Sequence, residues 1–322
     1  MADVKAPFRV VCAIDSHMTY GLVVLLGSLH RTSSRPFRVT VGYLEDSLPE
    51  ADRDRVAKIA AGLGVPLDFL PLPHNPLFIA QGHISPTTFA KFLLADSISE
   101  PHLWIDADTV ALPGWDSIQD SILTSDEREG LVVAERSSAG SSPTPGLPFN
   151  AGVLGWPKGT RRDWVTPLAT MDNVDTQEQA LFNELYADTA RYVAEKFNTL
   201  TYRLERLDDN DLPFIIHYAG AHKPWHLPRR LAHFCVTARC PWAAWCEAES
   251  ALMDELSLDP AGRTLRKMGD EARSSGTLRW RRDHSGVWLL RALAIMGPAA
   301  PIVVRFLRLL KQWVPRGTHP IH

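Results

Sequence analysis

Leu103-Trp104-Ile105-Asp106-Ala107-Asp108 is an apolar run that ends in two carboxylates separated by one small residue. Residues two apart on an extended chain point the same way. A strand here therefore brings Asp106 and Asp108 together at or just beyond its C-terminal end. In an open α/β sheet, that is where ligands bind. Two unpaired carboxylates facing one point repel each other, and a divalent cation removes the conflict. A cation so held can bridge two phosphates. The stretch points to an enzyme that handles a nucleotide diphosphate through a metal. The competing reading is that Asp-x-Asp merely caps a turn, and the rest of the chain decides between them.

Upstream, residues 8–14 form a compact apolar run that ends at Asp15 and predicts a first strand. Residues 20–29 predict a buried helix and residues 37–44 a second strand. Ser47-Leu48-Pro49-Glu50 is a helix start, with Ser47 as cap, and Val56, Ile59, Ala60 and Leu63 recur at helical spacing until Gly62 and Gly64 stop it. Residues 67–72 are a third strand. Ser85-Pro86 opens a further helix with Phe89, Phe92, Leu93 and Ile98 as its apolar stripe. The aspartate strand follows. Strands alternating with helices predict the α/β class, with a mostly parallel sheet covered by helices. Beyond it come a strand at 131–134, a polar loop at 136–148, a strand at 149–154, a helix at 177–185 and a late strand at 214–218.

At 322 residues, 45% apolar and 22% charged, the chain has an ordinary globular composition. The net charge of −3 gives no case for a nucleic-acid partner, but its distribution is uneven. From Ala261 onward twelve Lys and Arg face three acidic residues, a tail of about +9 that leaves about −12 on the remainder. Trp280, Trp288 and Trp313 lie in this tail. Its apolar stretch at 289–310 is broken by Pro298 and Pro301 and carries Arg291, Arg305 and Arg308. That is a poor membrane span and a better interfacial amphipathic segment. The bland alternative is that these helices pack on the body with their arginines in water. Cys12, Cys235, Cys240 and Cys246 are too few for a disulfide framework and match no common zinc spacing. Residues 1–7 lack a signal-peptide apolar core, so the expected compartment is cytoplasmic.

Several segments now line up in order: Asp15-Ser16-His17, His83 to Lys91, Asp106-Ala107-Asp108, Phe149 to Leu154, Gln177 to Asn183, and His217 to Trp225. Together, over roughly residues 8–225, they resemble glycosyltransferase family eight. The likeness is greatest to bacterial lipopolysaccharide α-galactosyl- and α-glucosyltransferases, with glycogenin more distant. The resemblance implies a GT-A-type nucleotide-sugar-binding domain at 1–240 and a helical, basic, Trp-rich C-terminal region at 241–322, on the acceptor side or docking on membrane. It implies a retaining, manganese-dependent transfer of a hexose, galactose or glucose, from a UDP-sugar to a glycan or lipid-linked glycan. The expected location becomes the cytoplasm, with peripheral docking on the anionic inner face of the cell membrane.

Carried over by position, Asp106, Asp108 and His217 are the metal ligands, a donor set that suits manganese. Asp15 contacts uracil in the family, against the bland reading that it starts a turn, and His17 adds a polar contact. Lys91 stands where the family commonly has Arg reaching the donor; a helix lysine is otherwise usually a solvated face residue. Asn150, which begins a strand in this reading, contacts sugar hydroxyls. Asp106, Gly220 and Lys223 complete the donor contacts, with Lys223 meeting the diphosphate. Glu178 and Gln179 are the catalytic residues, where the family usually has Asp-Gln; Glu in a first turn otherwise complements the helix dipole. His222 and His226 are incidental or on the acceptor side. Retention can follow double displacement or front-face attack. Glutamine is a poor nucleophile, which favours the second, with Gln179 steadying an oxocarbenium-like transition state. The rivals are a self-priming transferase, a nucleotide-sugar-binding protein without turnover, and a phosphohydrolase with an aspartyl nucleophile.

Overall fold

A computed structural model describes residues 6–280, apart from 81–84, 126–128, 136–145, 147, 172–176, 207–211, 222, 227–235 and 237–240. Strands β1 (Phe8–Ala13), β2 (Phe37–Leu44) and β3 (Leu67–Leu72) pair in parallel, and β4 (His102–Ile105) joins β1 on its other side, also parallel. The chain thus builds outward to β3 and then returns past β1. The carboxyl ends of β1 and β4 flank the point where the strand order reverses. That crevice is the ligand position of open α/β sheets.

Strand β5 (Thr109–Ala111) leaves this sheet. The large sheet continues through β6 (Val132–Ala134), β7 (Val153–Trp156) and β8 (Arg191–Val193) in the order β3-β2-β1-β4-β7-β6-β8. Only β7 runs against its neighbours, so the seven strands form the expected mostly parallel, mixed sheet. A second, three-stranded sheet sets β10 (Ile215–His217) between β5 and β9 (Thr199–Leu200).

Strand β1 is apolar on both sides because both its faces are covered. Val10 and Cys12 enter one core and Val11 the other. The first core lies under α1 (Thr19–Thr32) and α2 (Glu50–Gly62). The second lies under α3 (Ala90–Ser97), where Phe92 stacks on Phe182 at 4.1 Å. Helix α4 (Ile118–Thr124) adds Ile118 and Ile122 to the first core; α5 (Val165–Thr170) and α6 (Gln177–Tyr186) close the second. Helices α7 (Ala243–Glu255) and α8 (Pro260–Trp280) bury Trp245, Leu252, Leu265 and Met268 in the first core. Glu249 of α7 accepts hydrogen bonds from Tyr20 of α1 and Arg273 of α8, tying the three helices together.

Several sequence expectations are corrected. Ser47 does not cap α2: Pro49 holds that position, and the Ser47 hydroxyl donates to the Leu44 carbonyl at 2.7 Å, closing the turn after β2. Ser85 does accept from the Thr87 N–H, at 3.3 Å, but it opens a 3-10 turn that leads into α3. The strand expected from residue 149 begins at Val153. The Asn183 side chain grips the main-chain N–H and carbonyl of Phe149 at 2.7 and 2.9 Å, which takes those groups out of any ladder. The aspartates do lie just beyond the end of β4, as expected, but the strand stops at Ile105 and Asp108 sits in the turn toward β5. The polar loop at 136–145, Cys235, Cys240, the Trp280 side chain, Trp288, Trp313 and the apolar stretch at 289–310 lie outside the described residues. Among the described residues no helix is long and apolar enough to cross a membrane.

At the amino end of β4, His102 is buried, stacks on Trp156 at 5.4 Å and has Nδ1 2.9 Å from the Glu100 carbonyl. Burial pulls its pKa down from 6.5 to about 4. The ring is therefore neutral in the fold where an unfolded chain would take a proton. Stability is full above about pH 6.5 and falls as pH drops toward 4, by up to about 3 kcal/mol. We expect the melting temperature of His102→Phe to fall less than that of the native chain between pH 7 and about 4. Parallel melting curves across that range mean that His102 is not the group that titrates.

Candidate metal and donor site

Asp106 and Asp108 are brought together by a turn, not by strand alternation. The Asp106 N–H still donates to the Gly152 carbonyl of the β7 side at 2.8 Å. Two residues on, the Asp108 carbonyl accepts from the Tyr218 N–H at 2.9 Å, after β10. One tripeptide thereby joins the large sheet to the small one, and His217, the last residue of β10, stands opposite both carboxylates.

Each of the three side chains has one atom held by the protein and another facing the cluster. Asp106 Oδ1 accepts from Trp104 Nε1 at 2.7 Å and lies 3.3 Å from Lys91 Nζ, while Oδ2 is 3.7 Å from His217 Nε2. Asp108 Oδ2 accepts from Lys223, while Oδ1 is 3.3 Å from His217 Nε2. His217 Nδ1 lies 3.1 Å from both Asn150 Oδ1 and Asn198 Oδ1. One ligand atom from each residue lies within 4.8 Å of the others, so the cluster can hold a metal ion. Burial alone would raise the Asp108 pKa, but the positive charge of Lys223 and the contact with His217 hold it far below the usual carboxylate range. Asp108 is an anion at any ordinary pH.

Lys91 is not a solvated helix lysine. It is 2% exposed, and Nζ lies 2.6 Å from Glu178 Oε1 and 3.3 Å from Asp106 Oδ1, with the Trp104 ring 5.3 Å away. Burial would lower its pKa; the charges of Asp106 and Glu178 overrule that and raise it. Glu178 is buried at the start of α6, with its carboxylate on this lysine. Next to it, Gln179 Oε1 accepts from Asn150 Nδ2 at 2.9 Å and lies 3.4 Å from the Ala151 N–H.

Lys223 lies beyond Gly220, whose φ of 105° is in the region that favours glycine. Besides Asp108 it donates to the Tyr218 carbonyl at 3.2 Å. The adjoining Trp225 is buried against Trp245 at 5.0 Å, which fixes this segment on α7. Asp15 stands just past β1, where its carboxylate accepts from the His17 N–H at 2.9 Å; His17 itself is exposed. The structure thus joins Asp106, Asp108, His217, Lys91, Glu178, Lys223, Asn150 and Gln179 through direct contacts. No such contact links Asp15, His17 or Gly220 to them among the described residues. His222 lies outside the described residues. Sequence reading missed Trp104 and Asn198. The indole lies inside the stretch that announces the site, but Asn198 carries no motif.

No protein-family model matches the chain. Over 208 residues it is 28% identical to glycosyltransferase GlyD of Streptococcus pneumoniae serotype 4, a match that covers 56% of this chain and 24% of that protein. The chain thus spans about a quarter of the length of the curated relative it matches. Among solved structures it is similar to galactosyltransferase LgtC in complex with donor and acceptor sugar analogs, with TM-score 0.55 and 22% identity over 82% of this chain and 96% of that one. It is also similar to apo glycosyltransferase GlyE of Streptococcus pneumoniae TIGR4, with TM-score 0.56 and 20% identity over 79% of this chain and 64% of that one. The fold is the GT-A type of these glycosyltransferases. The likeness to glycosyltransferases read from the ordered motifs is borne out.

Gly152 gives a local test of the cluster. A Cβ there would lie 2.2 Å from His217 Cε1 and 2.4 Å from Nδ1. The ring occupies the place of the missing side chain. Gly152→Ala must push His217 out of register, at a cost of about 1–3 kcal/mol, and any divalent cation held by the cluster should bind about tenfold or more weakly. Mn2+ titration followed by electron paramagnetic resonance checks this; an unchanged isotherm means that the ring position is irrelevant to the metal.

Proposed function

We propose that this chain is a manganese-dependent, retaining glycosyltransferase that moves a hexose, galactose or glucose, from a UDP-sugar to a glycan or lipid-linked glycan. The observation that carries the reading is the convergence of Asp106, Asp108 and His217, each anchored by one atom and open at another, at the switch point of the sheet. LgtC, similar in fold, takes donor and acceptor sugar analogs. Two hard carboxylates and one imidazole suit Mn2+ better than Mg2+ or Ca2+. When bound, the cation supplies Lewis acidity and neutralises charge that grows on the leaving UDP.

The chain's own residues then have distinct tasks. Lys223 uses one N–H on Asp108 and one on Tyr218, and its third is left for a diphosphate oxygen. Asp15, with His17 beside it, receives the uracil at the end of β1. Gly220 lets the backbone turn close to the diphosphate. Lys91 acts on the donor through Asp106 and Glu178, the two carboxylates it holds. Gln179 has its carbonyl oxygen engaged by Asn150, which leaves its NH2 as the group to meet the donor. An amide already tied in this way is a poor nucleophile, which supports front-face attack.

Incubation with UDP-galactose and UDP-glucose and Mn2+ should release UDP, and Asp108→Asn should lower the rate at least about a hundredfold with the fold intact. Glu178→Ala and Gln179→Ala should lower turnover about tenfold or more while UDP affinity holds. Proton NMR of the product should show an α linkage. Full activity in a chelator would falsify the metal assignment, and a β-linked product sinks retention. UDP binding without release marks the chain as a carrier without turnover.

The proposed work at the cytoplasmic face of a membrane rests on the basic tail from Ala261: α8 buries Ala261, Leu265 and Met268 in the core but leaves Arg263, Arg266 and Lys267 exposed, and seven more Lys and Arg lie beyond 280. With each basic residue contributing about 1 kcal/mol near an anionic surface, the full chain should sediment with anionic liposomes at low salt, and a chain ending at residue 280 should sediment far less. Equal sedimentation of the two removes the tail from the reading.

A further inference from the structure

Behind His217 lie two amides, the half-buried Asn150 and the buried Asn198, the second of which belongs to no motif, and their hydrogen bonds leave the imidazole one choice. The Asn150 side chain accepts from the Gly152 N–H at 2.9 Å, which identifies the receiving atom as oxygen. Asn198 directs its NH2 at two acceptors, Asn150 Oδ1 at 3.0 Å and the Asn150 main-chain carbonyl at 3.2 Å, which turns its own oxygen toward the ring. His217 Nδ1 therefore meets two oxygens, both at 3.1 Å. An imidazole nitrogen between two acceptors carries the proton. The lone pair of the neutral ring is then on Nε2, the atom that faces Asp106 and Asp108. Asn198 is 5% exposed, so water does not replace it.

We propose that Asn198 is a positioning residue that, with Asn150, locks His217 in the tautomer whose Nε2 lone pair is presented to a divalent cation. This rests on the metal reading above. Outer partners of a ligating histidine hold its tautomer and orientation, and their loss typically weakens metal affinity 10- to 100-fold. The same pair reaches Gln179 through Asn150 Nδ2, so ligand and transfer site share one rigid support.

The test is Mn2+ affinity of the full chain, without donor, by electron paramagnetic resonance. Asn198→Leu keeps the volume and removes the acceptor; its affinity should fall about tenfold or more. Asn198→Asp keeps an acceptor toward Nδ1 and loses the N–H bonds to Asn150; it should bind as tightly as the native chain or tighter. An unchanged Leu variant overturns the proposal. Equal losses in both variants overturn it too, since Asn198 is then only a tether for residue 150. Should the Leu variant not fold, nitrogen-15 spectra of the Zn2+-loaded native chain decide. One ring signal, absent in His217→Gln, should show the metal on Nε2 and the proton on Nδ1; ligation through Nδ1 overturns the proposal. A native chain that binds no Mn2+ instead removes the metal reading itself, an outcome distinct from the others.

Discussion

Mutual repulsion of three carboxylates in one crevice is the constraint on which the site is built. Asp106, Asp108 and Glu178 converge where solvent is largely excluded, and anions there are costly unless paired and hydrogen-bonded. Two lysines answer them: Lys91 bridges Asp106 and Glu178, and Lys223 meets Asp108. Three carboxylates and two lysines leave a sum of −1. The lysines compensate most of the charge but do not close the cluster, because each approaches a carboxylate from the side away from His217. A cation can still enter between the three inward-facing atoms.

The topology supplies the convergence. The participants come from α3, the turn after β4, the approach to β7, the start of α6, the end of β10 and the turn after it, separated by more than a hundred residues. The handover from β4 to β5 commits Asp106 to one sheet and Asp108 to the other, so neither aspartate can move without disturbing a ladder. Opposite them, Gly152 makes room for the histidine ring and Gly21 lets α1 lie against the Ala107 carbonyl, where a Cβ would be 2.8 Å away. Helices α7 and α8 hold Trp225 and Tyr20 from behind.

Much of this was legible in the sequence where the pattern itself is physical. Two-sided burial makes the strands read as apolar runs, and their alternation with helices gave the parallel sheet. The aspartate pair and His217 stood out because ligand chemistry restricts residue types. What escaped depended on contacts between distant segments. A lysine on a helix looks the same whether it faces water or two buried carboxylates, so the burial of Lys91 could not be read. Residues 149–152 look like strand until the Asn183 amide, more than thirty positions away, claims the Phe149 backbone. Ser47 carries a cap signature, but its hydroxyl reaches Leu44 first. Asn198 sits between a 3-10 turn and a two-residue strand, with nothing local to mark it.

Two departures from the pattern of the family that the sequence resembles, Lys at 91 and Glu at 178, look in the sequence like separate weaknesses. In the structure they are the two ends of one ion pair, 2.6 Å apart. Lysine gives up the bidentate fork that arginine would present. Glutamate is one methylene longer than aspartate, and its carboxylate comes to meet the ammonium group. The compact ammonium also fits beside the Trp104 ring while reaching Asp106, so that indole and lysine together hold one oxygen of the first aspartate. The buried ammonium and carboxylate thus balance each other within this chain. For this reason Glu178 stays ion-paired next to Gln179 and belongs to the support of the site.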